Sequence, residues 1–322
     1  MLHTRICDLL GIEHPILNAP MAGTANATLA AAVSEAGGLG VIGGSNGDGE
    51  WLLGQIRAVR ERTDKPFGVG FISSRSNVAE LTAIAIAERV PVIGHSFADP
   101  TPYVAEIHAA GLLMIAQVQT VALARTAAAA GVDIIVAQGT EAGGHTGYSG
   151  TLPLVPAVVD VAGGIPVIAA GGIADGRGLA AVLMLGAEGA WLGSRFVASI
   201  EAEGGSWVKE RVVAAGTDDT VLTRAYDIVT QAAFPPGIGD RVVRNDYTDT
   251  WHGHDDELPA RRSELHAQLV QAAKAGDGRI APTRAGNAAG LIHAIEPAAD
   301  IVRVIIAEAE RILRERPGQL LR

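Results

Sequence analysis

Short apolar runs alternate with Ala-rich amphipathic stretches over roughly the first 200 residues, and no other feature limits the fold as strongly. The runs occupy 14–20, 39–43, 66–73, 90–96, 112–118, 132–139, 165–172 and 189–196. Each has the length of a buried strand and the aliphatic content of parallel strands covered on both faces. The stretches between them, 27–36, 50–62, 77–89, 102–110, 121–130, 154–161 and 177–185, carry helical spacing. Eight strands and seven intervening helices imply repeated right-handed βαβ units. An open doubly wound sheet and a closed barrel both satisfy that pattern. Eight consecutive units, with no G-x-G-x-x-G after the first strand, favour an α/β fold of the (β/α)8 TIM-barrel type.

The rhythm breaks after Phe196. Residues 201–279 are richer in charge, contain Phe234-Pro235-Pro236-Gly237 and include the polar run 251–257. They are expected to form a smaller, mostly helical insertion lying over the C-terminal mouth of the barrel and shaping its substrate pocket. Near the end, Ile301, Val304, Ile305, Ala309 and Ile312 recur at helical spacing within 297–316, which would supply the missing eighth helix. The barrel is therefore expected from 1–200 plus 280–322.

Composition narrows the class of protein. The chain has 322 residues, a net charge of −10 and 4% aromatic residues, which argues against nucleic acid and anionic membrane as partners. No apolar run reaches the ~18 to 20 residues of a membrane-spanning helix. The single Cys7 cannot form an internal disulfide and reads as a packing residue, and the N-terminus lacks a long apolar segment. The expectation is a cytoplasmic enzyme; assembly as a homodimer is compatible with the sequence.

In such barrels the chemistry gathers where strands end. Strand seven ends in IPVIAAGGIADGRG and strand eight in GAEGAWLGSRFVAS. Gly171 and Gly172, then Gly193 and Ser194, make adjacent turns whose backbone amides suit a phosphate, because a Cβ would keep the anion from the main chain. Arg195 would add a charge if its side chain points inward. Strand six ends in IIVAQGTEAGGHTGYSG, where Gln138 and Gly139 lead into a loop with Glu141, Gly143, Gly144, His145 and Gly147. The paired glycines let the chain pass close to a flat ligand and aim His145 inward, where imidazole suits proton transfer or anion binding. Of the other histidines, His95 ends strand four at the correct face and is a supporting candidate, while His14 begins its strand at the opposite face. No H-x-x-x-H helix and no cysteine pair suggests a metal site.

Taken together, HPILNAPMAG, TLAAAVSEAGGLGVIG, IIVAQGTEAGGHTG, IPVIAAGGIADGRG, LGSRFVAS and the terminal RAGNAAGLIHAIEPAADIV resemble the nitronate monooxygenases, once called 2-nitropropane dioxygenases. The likeness spans nearly the whole barrel portion and is weakest in the insertion. It implies FMN at the barrel mouth, with Asn18, Ala19, Pro20, Met21 and Ala22 along the isoalloxazine and Gln117 and Gln138 facing the ring or ribityl chain. It further implies that Gly171, Gly172, Gly193 and Ser194 hold the phosphate, with Gly139, Gly143 and Gly144 beside the cofactor. His145 matches the family's active-site histidine. The implied reaction is oxidation of an alkyl nitronate, such as propionate 3-nitronate, by O2 to a carbonyl compound and nitrite. A nitronate is already deprotonated, so His145 would orient or protonate the anion and act as base only toward a neutral nitroalkane. The same segments are similar to those of FMN-dependent enoyl-acyl-carrier-protein reductases and NAD(P)H-quinone reductases. A flavin-free barrel acting on a phosphosugar would share the phosphate turns but not the EAGGH loop.

Overall fold

The computed structural model describes residues 2–321 of the chain. Eight parallel strands form the expected barrel: β1 (Ile16–Asn18), β2 (Gly40–Gly43), β3 (Phe67–Ile72), β4 (Val92–Ser96), β5 (Leu113–Val118), β6 (Ile134–Gln138), β8 (Val167–Ala170) and β9 (Gly189–Leu192). A further strand, β7 (Gly144–Thr146), lies outside the barrel. The hydrogen-bonded order is β1-β9-β8-β6-β5-β4-β3-β2, and a parallel bridge between Leu17 and Leu39 joins the two ends.

That seam has few main-chain bonds, and a side chain completes it. Asn18 is fully buried; its Nδ2 donates to the Val41 carbonyl at 2.8 Å while the Val41 amide donates to Asn18 Oδ1 at 2.8 Å. The carboxamide thus stands in for one peptide unit of a strand that is too short to reach its neighbour. Inside the barrel, Leu17, Val41, Val92, Ile115, Ile134, Ile168 and Trp191 form one packed cluster. Ile6, Cys7 and Leu10 of the N-terminal helix Arg5–Leu10 join it, so Cys7 is the packing residue its context suggested. Ile6 reaches Gly189, the first residue of β9, which places this helix as a stopper at the face opposite the site.

The outer helices begin at recognisable caps. Asn26, Asp48, Thr120 and Asp175 each accept the amide three residues on, satisfying a donor that the helix itself leaves free. The helix Ala298–Leu320 packs against Gly176–Met184 and Ala27–Glu35, closing the ring between the last and first units. Glu308 fixes it there by accepting the Gly176 amide at 2.8 Å.

The segment between Ser199 and this helix is mostly helical, as expected, and adds a small sheet that the sequence did not signal. It holds the helices Ser206–Ala214, Ala225–Thr230, Asp246–Trp251 and Leu258–Ala275 together with two strands, β10 (Thr220–Thr223) and β11 (Gly239–Val243). The strands pair antiparallel in the order β10-β11-β7, so the histidine loop is itself the edge of this second sheet. A separate cluster around Tyr226, Val242, Tyr247, Trp251, Leu258 and Leu265 packs beneath it.

Candidate active site

A cavity of about 730 Å³ opens over the C-terminal ends of the barrel strands, within the usual range for cofactor-sized ligands. Ala19, Pro20, Met21 and Ala22 after β1, Gln117 of β5, Gln138 of β6, Gly143, Gly144 and His145 of the loop, and Gly171, Gly172, Gly193 and Ser194 all line it. Two residues of the sequence-derived set do not. Asn18 is turned to the β1–β2 seam, and Gly139 is pressed against Thr151, whose Oγ1 leaves no room for a Cβ.

The phosphate turns fit their expected ligand. Gly171 and Gly172 have φ of 96° and 73°, the left-handed region that only glycine adopts without strain. Gly193 has a negative φ, and a Cβ there would meet only Met21 Sδ at 3.8 Å and Ala19 Cβ at 3.9 Å. The protein alone would tolerate a Cβ at that position, so packing does not require its glycine. Among the described residues, the amides of Gly172, Ser194 and Arg195 donate to no group of the chain. Ser194 Oγ accepts the Gly286 amide at 2.8 Å, leaving its hydroxyl proton available. Arg195 is turned away, pairing with Glu296 and donating to the Ala294 carbonyl at 3.2 Å.

His145 is held from three sides. Asp227 Oδ1 lies 2.9 Å from its Nε2, and both side chains are only 12% exposed. Phe234 stacks on the imidazole at 3.5 Å between centroids, and Phe97 stands edge-on to both rings. Gln138 donates to the His145 carbonyl at 3.1 Å and accepts from Gln119 at 2.9 Å. With Nε2 committed to a carboxylate, Nδ1 is the atom left for a ligand. Phe97 and Gln231 carry φ of 68° and 55°, strain that for such residues clusters at ligand sites. The Glu141 carboxylate accepts the Thr151 amide and hydroxyl, at 2.9 and 2.8 Å, and so braces the loop rather than facing a substrate.

Behind this pair, Arg284 forks onto fully buried Asp240, with Nε–Oδ distances of 3.1 and 3.0 Å and Nη2 at 2.8 Å. The carboxylate raises the guanidinium pKa further, keeping it charged. His145, Asp227 and Asp240 offer ligand atoms within 4.8 Å of one another, but each carboxylate is already bonded, to His145 or to Arg284. This makes the cluster an ionic brace.

His95 does not reach the cavity. It is buried outside the barrel wall, stacked on Tyr103 at 3.9 Å, with Nδ1 3.1 Å from Ser73 Oγ. Burial drives its pKa down to about 3. Asp227, Phe234, Phe97, Arg75 and Arg284 are site residues that the sequence reading missed; only the Phe-Pro-Pro-Gly punctuation near Phe234 signalled anything. Trp191 also borders the cavity, and its indole N–H is buried without a partner among the described residues.

The nitronate monooxygenase family model matches residues 3–86 and 74–308. The chain belongs to that family. Within and around the family, it is 38% identical over 250 residues to an indene-carboxyl-CoA dehydrogenase of Mycobacterium tuberculosis, covering 77% of this chain and 68% of that one. The structure of FabK from Thermotoga maritima superposes with a TM-score of 0.91 at 40% identity, covering 99% of this chain and 100% of that one. A nitroalkane oxidase from Streptomyces ansochromogenes gives 0.84 at 29% identity over 98% and 99% of the two chains. Family membership makes the chain an oxidoreductase.

Proposed function

We propose that the chain is an FMN-dependent oxidoreductase that oxidises alkyl nitronates, propionate 3-nitronate among them, with O2 to a carbonyl compound and nitrite. One observation carries this reading: a His–Asp pair fixed in an aromatic wall on the rim of a cavity whose glycine turns would suit a phosphate. Gly171, Gly172, Gly193 and Ser194 would hold the FMN phosphate, Ala19 to Ala22 would lie along the ring, and Gln117 and Gln138 would face its polar edge. When bound, FMN supplies the electron chemistry, taking electrons from the substrate and passing them to O2. His145 offers Nδ1 to the anionic nitronate oxygens, and with a neutral nitroalkane the same atom accepts the carbon-bound proton. Asp227 fixes the imidazole and balances its charge when protonated. Phe97 and Phe234 keep water from that proton.

A second reading rests on the 38–40% identity to the CoA dehydrogenase and to FabK, which fits an enoyl-acyl-carrier-protein reductase. There the substrate is an acyl thioester, a nicotinamide serves as electron donor, and His145 handles the proton next to the thioester carbonyl. Anaerobic mixing of the flavin-loaded protein separates the two. Bleaching of the flavin band by propionate 3-nitronate is expected; bleaching by NADH or NADPH alone, with no response to nitronate, establishes the second reading instead. In either case His145→Asn should keep its FMN and lose turnover by roughly 100-fold or more. Full activity in that variant sinks the role given to His145.

A further inference from the structure

Two carboxylates and two guanidiniums line the cavity, and three of these four groups are already bonded. Glu141 is held by Thr151, Asp227 by His145, and Arg284 by Asp240. Arg75 is the exception. Among the described residues its guanidinium has no ion pair and no hydrogen bond, although the chain carries ten more negative than positive charges. Other exposed arginines, Arg57, Arg89, Arg125 and Arg224, likewise have no ion pair among the described residues, so what marks Arg75 is its place in the lining of the cavity.

The loop around it is built. The Arg75 amide donates to the Ile72 carbonyl at 3.1 Å, and the Ser73 amide to the Ser96 carbonyl at 3.0 Å. Ser74 and Ser76 line the cavity on either side of Arg75, and Ser74 Oγ is buried without a partner. The helix Val78–Ala87 begins directly after, and its Asn77 cap makes no side-chain capping bond, leaving the positive end of that helix dipole beside the same loop.

The phosphate of the cofactor does not account for this cation. In the barrel order β3 lies four places from β8, and β4 four places from β9, so the loop after β3 sits across the mouth from the phosphate turns. An anion bound there is a different anion. We infer that Arg75, with Ser74 and Ser76, is a subsite for a second, remote anionic group of the substrate, a carboxylate or a phosphate carried at a distance from the carbon that reacts beside His145. This rests on the flavin reading above and deepens it, because it excludes simple alkyl nitronates as the preferred substrates. A carboxylate tail is present in propionate 3-nitronate, and phosphates are present in thioesters of coenzyme A.

The test compares substrates that differ only in the tail, with wild type, Arg75→Gln and Arg75→Lys all loaded with FMN. One arm sets propionate 3-nitronate against propyl 1-nitronate, which lacks the carboxylate. The other sets crotonyl-CoA, with NAD(P)H, against the crotonyl thioester of N-acetylcysteamine, which lacks the phosphates. In wild type, the arm carrying the true tail is expected to show a kcat/KM preference of roughly 10- to 100-fold, carried in KM and falling as salt rises. Arg75→Gln should bring that ratio close to one, and Arg75→Lys should keep part of it. Binding of the unreactive anions succinate and 3′-phosphoadenosine 5′-phosphate, followed through the flavin spectrum, gives a readout independent of turnover. If neither reaction proceeds yet one of these anions binds in an Arg75-dependent way, the reaction assignment fails and the subsite stands. No tail preference in wild type, an unchanged preference in Arg75→Gln, or loss of FMN from Arg75→Gln would each overturn the subsite.

Discussion

Replacing Asn18 with alanine tests whether this residue belongs to the cofactor site or to the barrel seam. Its carboxamide makes two 2.8 Å bonds to the main chain of Val41 and is fully buried. Truncation leaves the Val41 N–H and C=O unpaired where water has no entry, at about 1–3 kcal/mol each, hence about 2–6 kcal/mol together. Against a typical total of about 5–15 kcal/mol, that is a large fraction of the stability of the fold. Urea unfolding of FMN-stripped protein should show the whole loss, because the seam closes with or without cofactor. FMN titration of the folded variant, followed by quenching of flavin fluorescence, should give a Kd within about threefold of wild type. A stripped variant as stable as wild type, combined with tenfold or weaker FMN binding, would refute the seam argument and return Asn18 to the flavin.

Gly193→Ala tests the proposed phosphate turn from the opposite direction. Its φ is negative and its surroundings are open, so the cofactor-free protein should change by no more than about 0.5 kcal/mol in urea unfolding, while FMN affinity falls by roughly tenfold or more; unchanged FMN affinity would remove Gly193 from the cofactor site. His95, with a folded pKa of about 3 against about 6.5 in the unfolded chain, gives a pH signature. The unfolded chain takes up the proton first as pH falls, so stability is full above about pH 6.5 and declines toward pH 3, by about 2 kcal/mol at pH 5. Urea midpoints measured near pH 7.5 and pH 5 should lose that increment in wild type and not in His95→Gln, and equal slopes in the two proteins would count against a neutral buried imidazole.

The barrel was legible because its signal is repeated. Eight aliphatic runs each end within two residues of the strand they become, apart from the last, where the chain turns at Gly193 into the short helix Ser194–Val197. The glycine turns of the cavity were legible for a related reason: Gly171 and Gly172 take the left-handed backbone that glycine alone adopts without strain, and Gly193 stands at an open turn beside them. Asn18 was misplaced because a polar residue at a strand end looks the same in sequence whether it faces a ligand or the next strand. His95 was misplaced by side-chain alternation, since β4 turns that residue outward, toward Tyr103. The second sheet escaped because β7 has three residues, Gly-His-Thr, too few to show a period of two, and its pairing with β11 spans about ninety residues of chain. Asp227 reaches His145 only through that long-range pairing, so nothing local could have assigned it.

This division bears on how substrate is chosen within the family. The elements proposed to hold the phosphate are barrel strand ends, whose geometry follows from closing the sheet and so tolerates little change. The elements on the substrate side are the loop after β3, which carries Arg75, and the segment from Asp227 to Phe234, which packs through Val229 on the core of the insertion and meets the histidine loop at His145. Loops of that kind vary without disturbing the barrel core. A nitronate and an acyl thioester present the same problem at the centre: a carbon beside an electron-withdrawing group, one proton and a flavin. His145 and its aspartate serve either one. What distinguishes the two is the far end of the molecule, and across the mouth from the glycine turns after β8 and β9 this chain places Arg75, which has no ion pair among the described residues. On the proposed reading the reaction centre is common to the family, whereas the choice of substrate would be made on the β3–β4 side of the barrel.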